Sequence, residues 1–311
     1  MLKRLEKMPV PILATMVGAV TLANFMNGFG YAWIRHITTW AAIIIWFFYV
    51  AKIIIYPQVC KKEYDLAIPR SLYAAFTMIM MLASAYLFDY MPGFAKILWL
   101  VAIAIHACHI LYFTYLTVFK SFKWENMMPS WYVTYNGIMV SVVIGGVMKE
   151  PMITKIITYY GIAIYFILLP FMIYRLLTKP IADAVYHTQA VLLAPCSLCL
   201  VSYLNTAKNP NQMIVYLLYF CVLASFAFIL IKLPKFFSFS FYPGFAGLTF
   251  PMAIGTVAGS KMAAYLTNAG NEALAGMVTQ IDGIQFYLTT MIIGYVLVKF
   301  VAMLLRVPEK I

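Results

Sequence analysis

The amino-acid sequence predicts an all-α membrane protein with ten transmembrane helices, in one domain that covers residues 1–311. Apolar residues make up 64% of the chain, charged residues make up only 10%, and the mean hydropathy is +0.89. Such a chain has too little polar surface to cover a water-soluble globule of its size. Because a helix needs about 20 apolar residues to cross a bilayer core of about 30 Å, ten crossings take up about two thirds of the chain. The rest suffices for short loops but not for a soluble catalytic domain.

Apolar runs bounded by prolines, glycines and charge clusters define the ten predicted crossings. Their ranges are 11–34, 37–57, 71–90, 95–118, 129–147, 153–176, 186–205, 212–232, 242–267 and 278–305. The first run is longer than the apolar region of a signal peptide, so we expect it to be retained as a helix.

Basic residues in the predicted loops are divided unequally between the two sides of the membrane. The loops after even-numbered crossings, together with both termini, hold fourteen lysines and arginines. The opposite loops hold five, namely Arg35, Lys96, Lys149, Lys155 and Lys208. The positive-inside rule therefore predicts a multi-pass protein of the plasma or inner membrane with cytoplasmic N- and C-termini. Because the basic residues are scattered among loops, the net charge of +12 does not indicate a nucleic-acid partner.

The odd-numbered crossings start at nearly constant intervals, near residues 11, 71, 129, 186 and 242. A proline lies near or just before the start of each crossing, namely Pro11, Pro69, Pro129, Pro180 and Pro243. A fixed period is typical of repeat architectures. It predicts five helical hairpins around a central pore, with the odd helices inside and the even helices outside. Bilayer thickness plus short loops would give similar intervals in any ten-helix bundle, so both interpretations stay open.

Small residues recur at helical spacing in three odd-numbered crossings. The candidates for lining a narrow path are Gly18 and Thr21 in the first crossing, Gly137 and Ser141 in the fifth, and Ala194 and Ser197 in the seventh. Each pair lies on one helical face. Close helix–helix packing through small residues is the alternative explanation of the same pattern, and this feature alone slightly favours it.

The ninth crossing carries the most specific local pattern, around Phe250 and Pro251. Pro251 cannot donate to the carbonyl of Gly247, so we expect a kink there, and Pro195 predicts a similar kink in the seventh crossing. Gly247 and Ala253, three residues to either side of Phe250, carry almost no side chain and join the lining candidates. The Phe250 ring is thus predicted to project alone, either against lipid and neighbouring helices or across a narrow path that it closes.

Charged side chains are scarce within the crossings, and no carboxylate lies in the middle of one. A cation path would need carboxylates along its length, so an anion or a neutral solute is the better match. Lys261, toward the outer end of the ninth crossing, either pairs with Asp282 or faces an outer vestibule and attracts anions. Lys52 and Lys299 lie near helix ends, and we expect them to extend toward the membrane surface.

Two short motifs have the spacing of redox or metal sites. Cys196 and Cys199 form a C-x-x-C motif, but it lies in an apolar helix without a second cysteine pair. His106 and His109 are three residues apart, and we expect them to hydrogen bond to a neighbouring helix. A membrane redox or metal-handling protein remains an alternative. Without a phosphate loop, paired catalytic carboxylates or a nucleophile motif, we expect no enzymatic activity, no cofactor and no metal.

Three segments together resemble a known family. They are Leu248–Ala253 (LTFPMA) in the ninth crossing, Val191–Tyr203 (VLLAPCSLCLVSY) in the seventh, and Pro129–Val133 (PSWYV) at the start of the fifth. In order and spacing they resemble the family of tellurite-resistance proteins, dicarboxylate transporters and plant slow anion channels. The likeness extends through all ten predicted crossings.

The resemblance implies a homotrimer in which each protomer has its own pore, formed by the odd helices and surrounded by the even ones. Phe250 matches the phenylalanine that occludes the pore in that family. The expected partners are the lipid bilayer and small inorganic or organic anions such as chloride or nitrate, which would pass down their gradient through a Phe250-gated channel. The alternative is a proton-coupled secondary transporter of C4-dicarboxylates, tellurite or sulfite.

Overall fold

The computed structural model describes residues 2–305, and helices account for nearly all of this range. The first half contains α1 (Leu2–Glu6), α2 (Pro11–Asn27), α3 (Ala32–Ile55), α4 (Pro57–Asp65), α5 (Ala67–Leu72), α6 (Ala74–Leu87) and α7 (Pro92–Thr114). The second half contains α8 (Trp131–Tyr135), α9 (Val140–Val143), α10 (Pro151–Thr178), α11 (Leu193–Thr206), α12 (Gln212–Phe236), α13 (Thr249–Asn268) and α14 (Glu272–Leu305). A π-helical segment, Tyr115–Lys120, continues α7, and 3₁₀ segments span Trp124–Asn126, Gly137–Met139, Gly145–Met148, Asp183–Leu192 and Pro243–Leu248.

Seven helical segments within residues 2–305 are long and apolar enough to cross a membrane. They are Ala32–Ile55, Ala67–Leu87, Pro92–Lys120, Pro151–Thr178, Asp183–Thr206, Gln212–Phe236 and Glu272–Leu305. The apolar helix Pro11–Asn27 is shorter. The chain is therefore an all-helical, multi-pass protein, and the remaining predicted crossings are the first, fifth and ninth.

Five segments of the chain contact one another in a closed cycle. Helix α2 contacts α6, α6 contacts α9, α9 contacts α11, α11 contacts α13, and α13 returns to α2. In the most apolar 18-residue stretch of the α5–α6 and Asp183–Thr206 segments, 67% and 78% of the residues are buried, whereas in the corresponding stretches of α3, α7, α10, α12 and α14 only 22% to 33% are buried. The long helices thus cover the outside of the cycle and present apolar side chains to their surroundings.

Glycines determine where two of the predicted helices differ from the structure. The first ends at Asn27 rather than at residue 34, because Gly30 adopts the left-handed region with φ 89°. The fifth, predicted as one helix over 129–147, is divided into α8, α9 and two 3₁₀ turns that begin at Gly137 and Gly145. Glycine is a poor helix former because its backbone loses more conformational entropy on ordering than that of other residues.

Pro195 and Pro251 occupy equivalent positions. Each is the third residue of an α-helix, α11 or α13, and each helix follows directly on a 3₁₀ segment. The first turn of a helix has no intrahelical acceptor for its N–H groups, so a proline there sacrifices no α-helical hydrogen bond. The change from 3₁₀ to α-helical backbone therefore falls immediately before each proline.

Candidate functional site

Two cavities lie inside the cycle of five segments, one toward each end. We call the end at which α2 begins the proximal end and the other the distal end. The proximal cavity has a volume of about 510 Å³ and extends from Pro11 to Phe250, and the distal cavity has a volume of about 420 Å³ and extends from Phe250 to Ser260. Phe250 is the residue common to both linings. It therefore lies where the two cavities would join.

An apolar collar surrounds the proximal side of this boundary. It consists of Val17 of α2, Met78 of α6, Val133 of α8, Val191 of the 3₁₀ segment before α11, and Phe250 of α13. All but Val133 are almost fully buried. On the distal side, one turn further along their helices, Thr21, Leu82 and Ile254 follow Val17, Met78 and Phe250. An apolar constriction of this kind disfavours hydrated ions, because it offers nothing to replace their water.

No charged side chain lines either cavity within the described part of the chain. The polar groups are neutral: Asn126, Ser130, Thr188 and Tyr242 on the proximal side, and Thr21, Asn24 and Ser260 on the distal side. A path for cations would be expected to carry carboxylates. The lining therefore matches anions or neutral solutes better than cations.

The backbone at Phe250 is fixed by close contacts at two glycines. A Cβ atom added to Gly18 of α2 would lie 2.6 Å from the Phe250 nitrogen and 2.7 Å from the Thr249 carbonyl carbon. A Cβ atom added to Gly247 would lie 2.7 Å from the carbonyl oxygen of His187. Both distances are shorter than real contacts, so glycine is required where α2 and the segment before α11 approach this turn of α13.

The tertiary contact between α13 and α14 restrains the same turn. The carbonyl oxygen of Met252, two residues after Phe250, lies 3.4 Å from Gln285 Nε2 and 3.3 Å from Thr289 Oγ1. Thr289 Oγ1 is also 3.2 Å from the hydroxyl of Thr256. Helix α14 thus packs polar side chains against the helix that carries Phe250.

Residues 8–305 match the sequence profile of the SLAC1 family of voltage-dependent anion channels. The chain belongs to this family. The match confirms the resemblance indicated by the LTFPMA, VLLAPCSLCLVSY and PSWYV segments, and it spans the whole cycle of helices. A comparison with curated proteins finds no match. Membership of the SLAC1 family supports anion transport across a membrane as the general activity, in a family of channels and transporters rather than enzymes.

Two lining candidates proposed from the sequence face the cavities of this SLAC1-family protein. Thr21 lines the distal cavity and Gly247 lines the proximal one. The hydroxyl of Thr21 donates to the carbonyl of Val17 at 2.8 Å, so it is already paired within its own helix. The polar character of the path at Thr21 is accordingly modest.

The other six candidates, Gly18, Gly137, Ser141, Ala194, Ser197 and Ala253, are not among the residues that line either cavity. A Cβ atom added to Gly137 would lie 3.0 Å from the His106 ring and from the Met78 sulfur. Ser197 donates to Leu193 of its own helix at 2.7 Å. Their positions agree with the alternative explanation, close helix packing through small residues. The large apolar residues that do line the path follow no sequence pattern that distinguishes them from other core residues.

Lys261 and Asp282 do not pair within residues 2–305. Lys261 is exposed and lines a further cavity at the distal end, which is described below. Asp282 is buried against α13, where its carboxylate approaches Gly259, and its Oδ1 atom has no hydrogen-bond partner. Of the two sequence-based alternatives for Lys261, the ion pair with Asp282 is not formed in the described residues, and the anion-attracting role stays a prediction.

The cysteine and histidine motifs are engaged in local hydrogen bonds. The Cys196 thiol donates to Leu193 at 3.2 Å, and the Cys199 thiol lies 3.6 Å from the carbonyl of Gly161. His106 donates through Nε2 to the Thr134 carbonyl at 2.9 Å, and its Nδ1 lies 2.6 Å from the Thr77 hydroxyl. No group of three or more potential metal ligands occurs in residues 2–305.

Lys52 corrects an expectation drawn from the sequence. Instead of extending to the membrane surface, its side chain is completely buried. The ammonium group donates to the carbonyl of Met8 at 2.7 Å and pairs with Glu63 at 2.5 Å. Glu63 also accepts from the hydroxyls of Tyr49 and Tyr73. The network joins the segment before α2 and the residue before α6 to α3 and α4. Because these partners are distant in the chain, the position of Lys52 near a helix end did not indicate them.

Proposed function

We propose that this protein is a gated anion channel of the cell membrane, in which Phe250 closes an axial path. The observation that carries the proposal is the position of Phe250 between two uncharged cavities inside the cycle of five helical segments. Rotation of the ring out of the apolar collar would join the cavities into one path. Small inorganic anions such as chloride or nitrate are the proposed permeant species, and membership of the SLAC1 family supports this choice.

The proposed arrangement in the bilayer has ten crossings. In this arrangement the odd-numbered crossings form the cycle, the even-numbered ones face lipid, and both termini lie in the cytoplasm. The low burial of α3, α7, α10, α12 and α14 supports a lipid-facing outer layer. The excess of basic residues in loops at the proximal end supports a cytoplasmic proximal side. We further propose a homotrimer in which each protomer carries its own path.

A channel accounts for the lining better than a proton-coupled transporter of C4-dicarboxylates, tellurite or sulfite. Coupling to protons needs titratable groups that the substrate or its path can influence. No carboxylate, histidine or lysine lines either axial cavity in the described range. The two activities differ in a measurable way, because a channel gives a reversal potential set by the anion gradient whereas a coupled transporter shows saturable, pH-driven uptake.

Phe250→Ala tests the gating role directly. Removing the ring should raise anion conductance severalfold in oocytes or in liposomes that contain the purified protein. Phe220→Ala is the matched control, because Phe220 is 67% exposed on α12 and lines neither cavity. An unchanged current in Phe250→Ala at normal surface expression would show that Phe250 does not close the path.

A further inference from the structure

A third cavity at the distal end of the molecule is strongly basic. It has a volume of about 870 Å³ and is lined by four lysines from different parts of the chain, namely Lys149, Lys155, Lys208 and Lys261. Lys149 precedes α10, Lys155 lies in its second turn, Lys208 follows α11, and Lys261 lies in α13. We refer to this space as the lysine cavity.

The charges of the lysine cavity are not balanced by its own lining. Glu150 is the one carboxylate among the lining residues, all of which are in the described range. Its side chain pairs with Lys96 at 2.5 Å, outside the set of four lysines. None of the four ammonium groups forms an ion pair within residues 2–305. The lining therefore carries a net positive charge that is available to a ligand.

The lysine cavity adjoins the distal end of the axial path. Val143 and Ile144 line both the lysine cavity and the distal cavity below it. Asn205, which also lines the lysine cavity, approaches the carbonyl of Val143 at 3.4 Å. The end of α9 and the turn that follows it thus form a wall that the two cavities share.

We propose that the lysine cavity is an anion-collecting vestibule, which raises the local concentration of small anions before they enter the distal cavity. The inference rests on the proposed channel function and adds a binding site to it. Opposite charge concentrated in a cleft raises the local concentration and association rate of a charged ligand. This effect extends over about 10 Å at an ionic strength of about 0.1 M and is lost at high salt.

The test is the salt dependence of anion current that enters from the distal side. In one variant, all four lysines are replaced by glutamine, and in a second all four are replaced by arginine. At about 0.01 M chloride, where the Debye length is about 30 Å, the glutamine variant should carry at least about threefold less of this current than the wild type. At about 1 M, where the Debye length is about 3 Å, the two currents should coincide, and the arginine variant should match the wild type at both concentrations.

The matched control removes the same charge from the proximal end. Lys61, Lys62, Lys120 and Lys123 are exposed there, and their replacement by glutamine should leave current from the distal side unchanged. The measurement is made in wild-type and Phe250→Ala backgrounds. If Phe250→Ala conducts anions but the fourfold glutamine variant behaves like the wild type at low salt, the vestibule is refuted and the channel stands. If no variant conducts anions, the channel and the vestibule fail together.

Discussion

At the scale of single residues, Gly18 sets how closely α2 approaches the backbone of Phe250. Alanine normally stabilises a helix relative to glycine by about 1 kcal/mol. At Gly18 the added methyl would meet the backbone of Phe250 at 2.6 Å, and backbone cannot move aside as a flexible side chain can. Overpacking of this kind costs about 1–3 kcal/mol, so the contact outweighs the gain in helix propensity.

We therefore predict that Gly18→Ala lowers the melting temperature of the purified protein and disturbs closure at Phe250. Gly283→Ala in α14 is the control, because a Cβ atom added there meets no other group within 4 Å. This control should keep or raise the melting temperature. Equal melting temperatures for the two variants, measured in the same detergent, would show that the close approach of α2 has no energetic importance.

The network around Lys52 gives a second prediction at this scale. Breaking a buried ion pair costs about 3–5 kcal/mol because it leaves an uncompensated charge. Since the Glu63 side chain is 25% exposed, we expect a smaller loss of about 2 kcal/mol for Lys52→Met. Adding Glu63→Gln to Lys52→Met should recover part of this loss. Denaturation of Lys52→Met, Glu63→Gln and the double variant measures the coupling between the two side chains. Losses of unfolding free energy that simply add in the double variant would contradict the coupling.

At the scale of helices, α14 restrains the helix that carries Phe250. Thr289 and Thr290 both donate within their own helix, to Gln285 at 2.7 Å and to Phe286 at 2.9 Å. Thr289 Oγ1 in addition lies 3.3 Å from the carbonyl of Met252 and 3.2 Å from the hydroxyl of Thr256 in α13. We predict that Thr289→Val destabilises the protein by about 1 kcal/mol more than Thr290→Val. The comparison of their melting temperatures removes the general effect of losing a hydroxyl group. A larger decrease in melting temperature for Thr290→Val than for Thr289→Val would contradict a restraint of α13 by Thr289.

Helix positions were largely predictable from the sequence, because hydrophobicity and length report on the membrane directly. The prediction of 212–232 corresponds to Gln212–Phe236, and that of 153–176 corresponds to Pro151–Thr178. Prediction was poorer over 129–147, where Gly137 and Gly145 divide the segment into short α and 3₁₀ turns. In a protein whose interior and exterior are both apolar, local propensity decides such breaks, and hydropathy does not register them.

The site was predictable only in part, for a physical reason. The large ring of Phe250 between the small residues Gly247 and Ala253, next to a proline, drew attention to this residue but left packing and closure of a path both open. Its proposed gating role came from the family resemblance. The collar residues Val17 and Met78 could not be recognised, because a valine or methionine that faces an axial cavity has the same sequence environment as one in the core. The sequence placed Lys149, Lys155 and Lys208 on one side of the membrane and suggested a vestibule for Lys261. Only the fold shows that the three stretches of chain that carry these lysines line one cavity.

At the scale of the whole molecule, the proposed orientation makes a prediction about accessibility. With cytoplasmic termini and ten crossings, Lys123 lies on the cytoplasmic side and Lys208 on the opposite side, and both side chains are exposed. Lys123→Cys should react with a membrane-impermeant maleimide only in inside-out vesicles, and Lys208→Cys only in right-side-out vesicles. Maleimide labelling of the unsubstituted protein measures the background signal from the native cysteines. Labelling of both positions from the same side would contradict the odd number of crossings predicted between Lys123 and Lys208.

The central claim is that anions pass through the axial cavities once Phe250 no longer separates them. The most direct measurement is the reversal potential of the Phe250→Ala current in planar bilayers, with different chloride concentrations on the two sides and equal pH. We predict a reversal potential equal to the Nernst potential of chloride, and no shift in this potential when a pH gradient is then imposed. A reversal potential that follows the cation gradient, or one that shifts with the pH gradient, would contradict an anion channel.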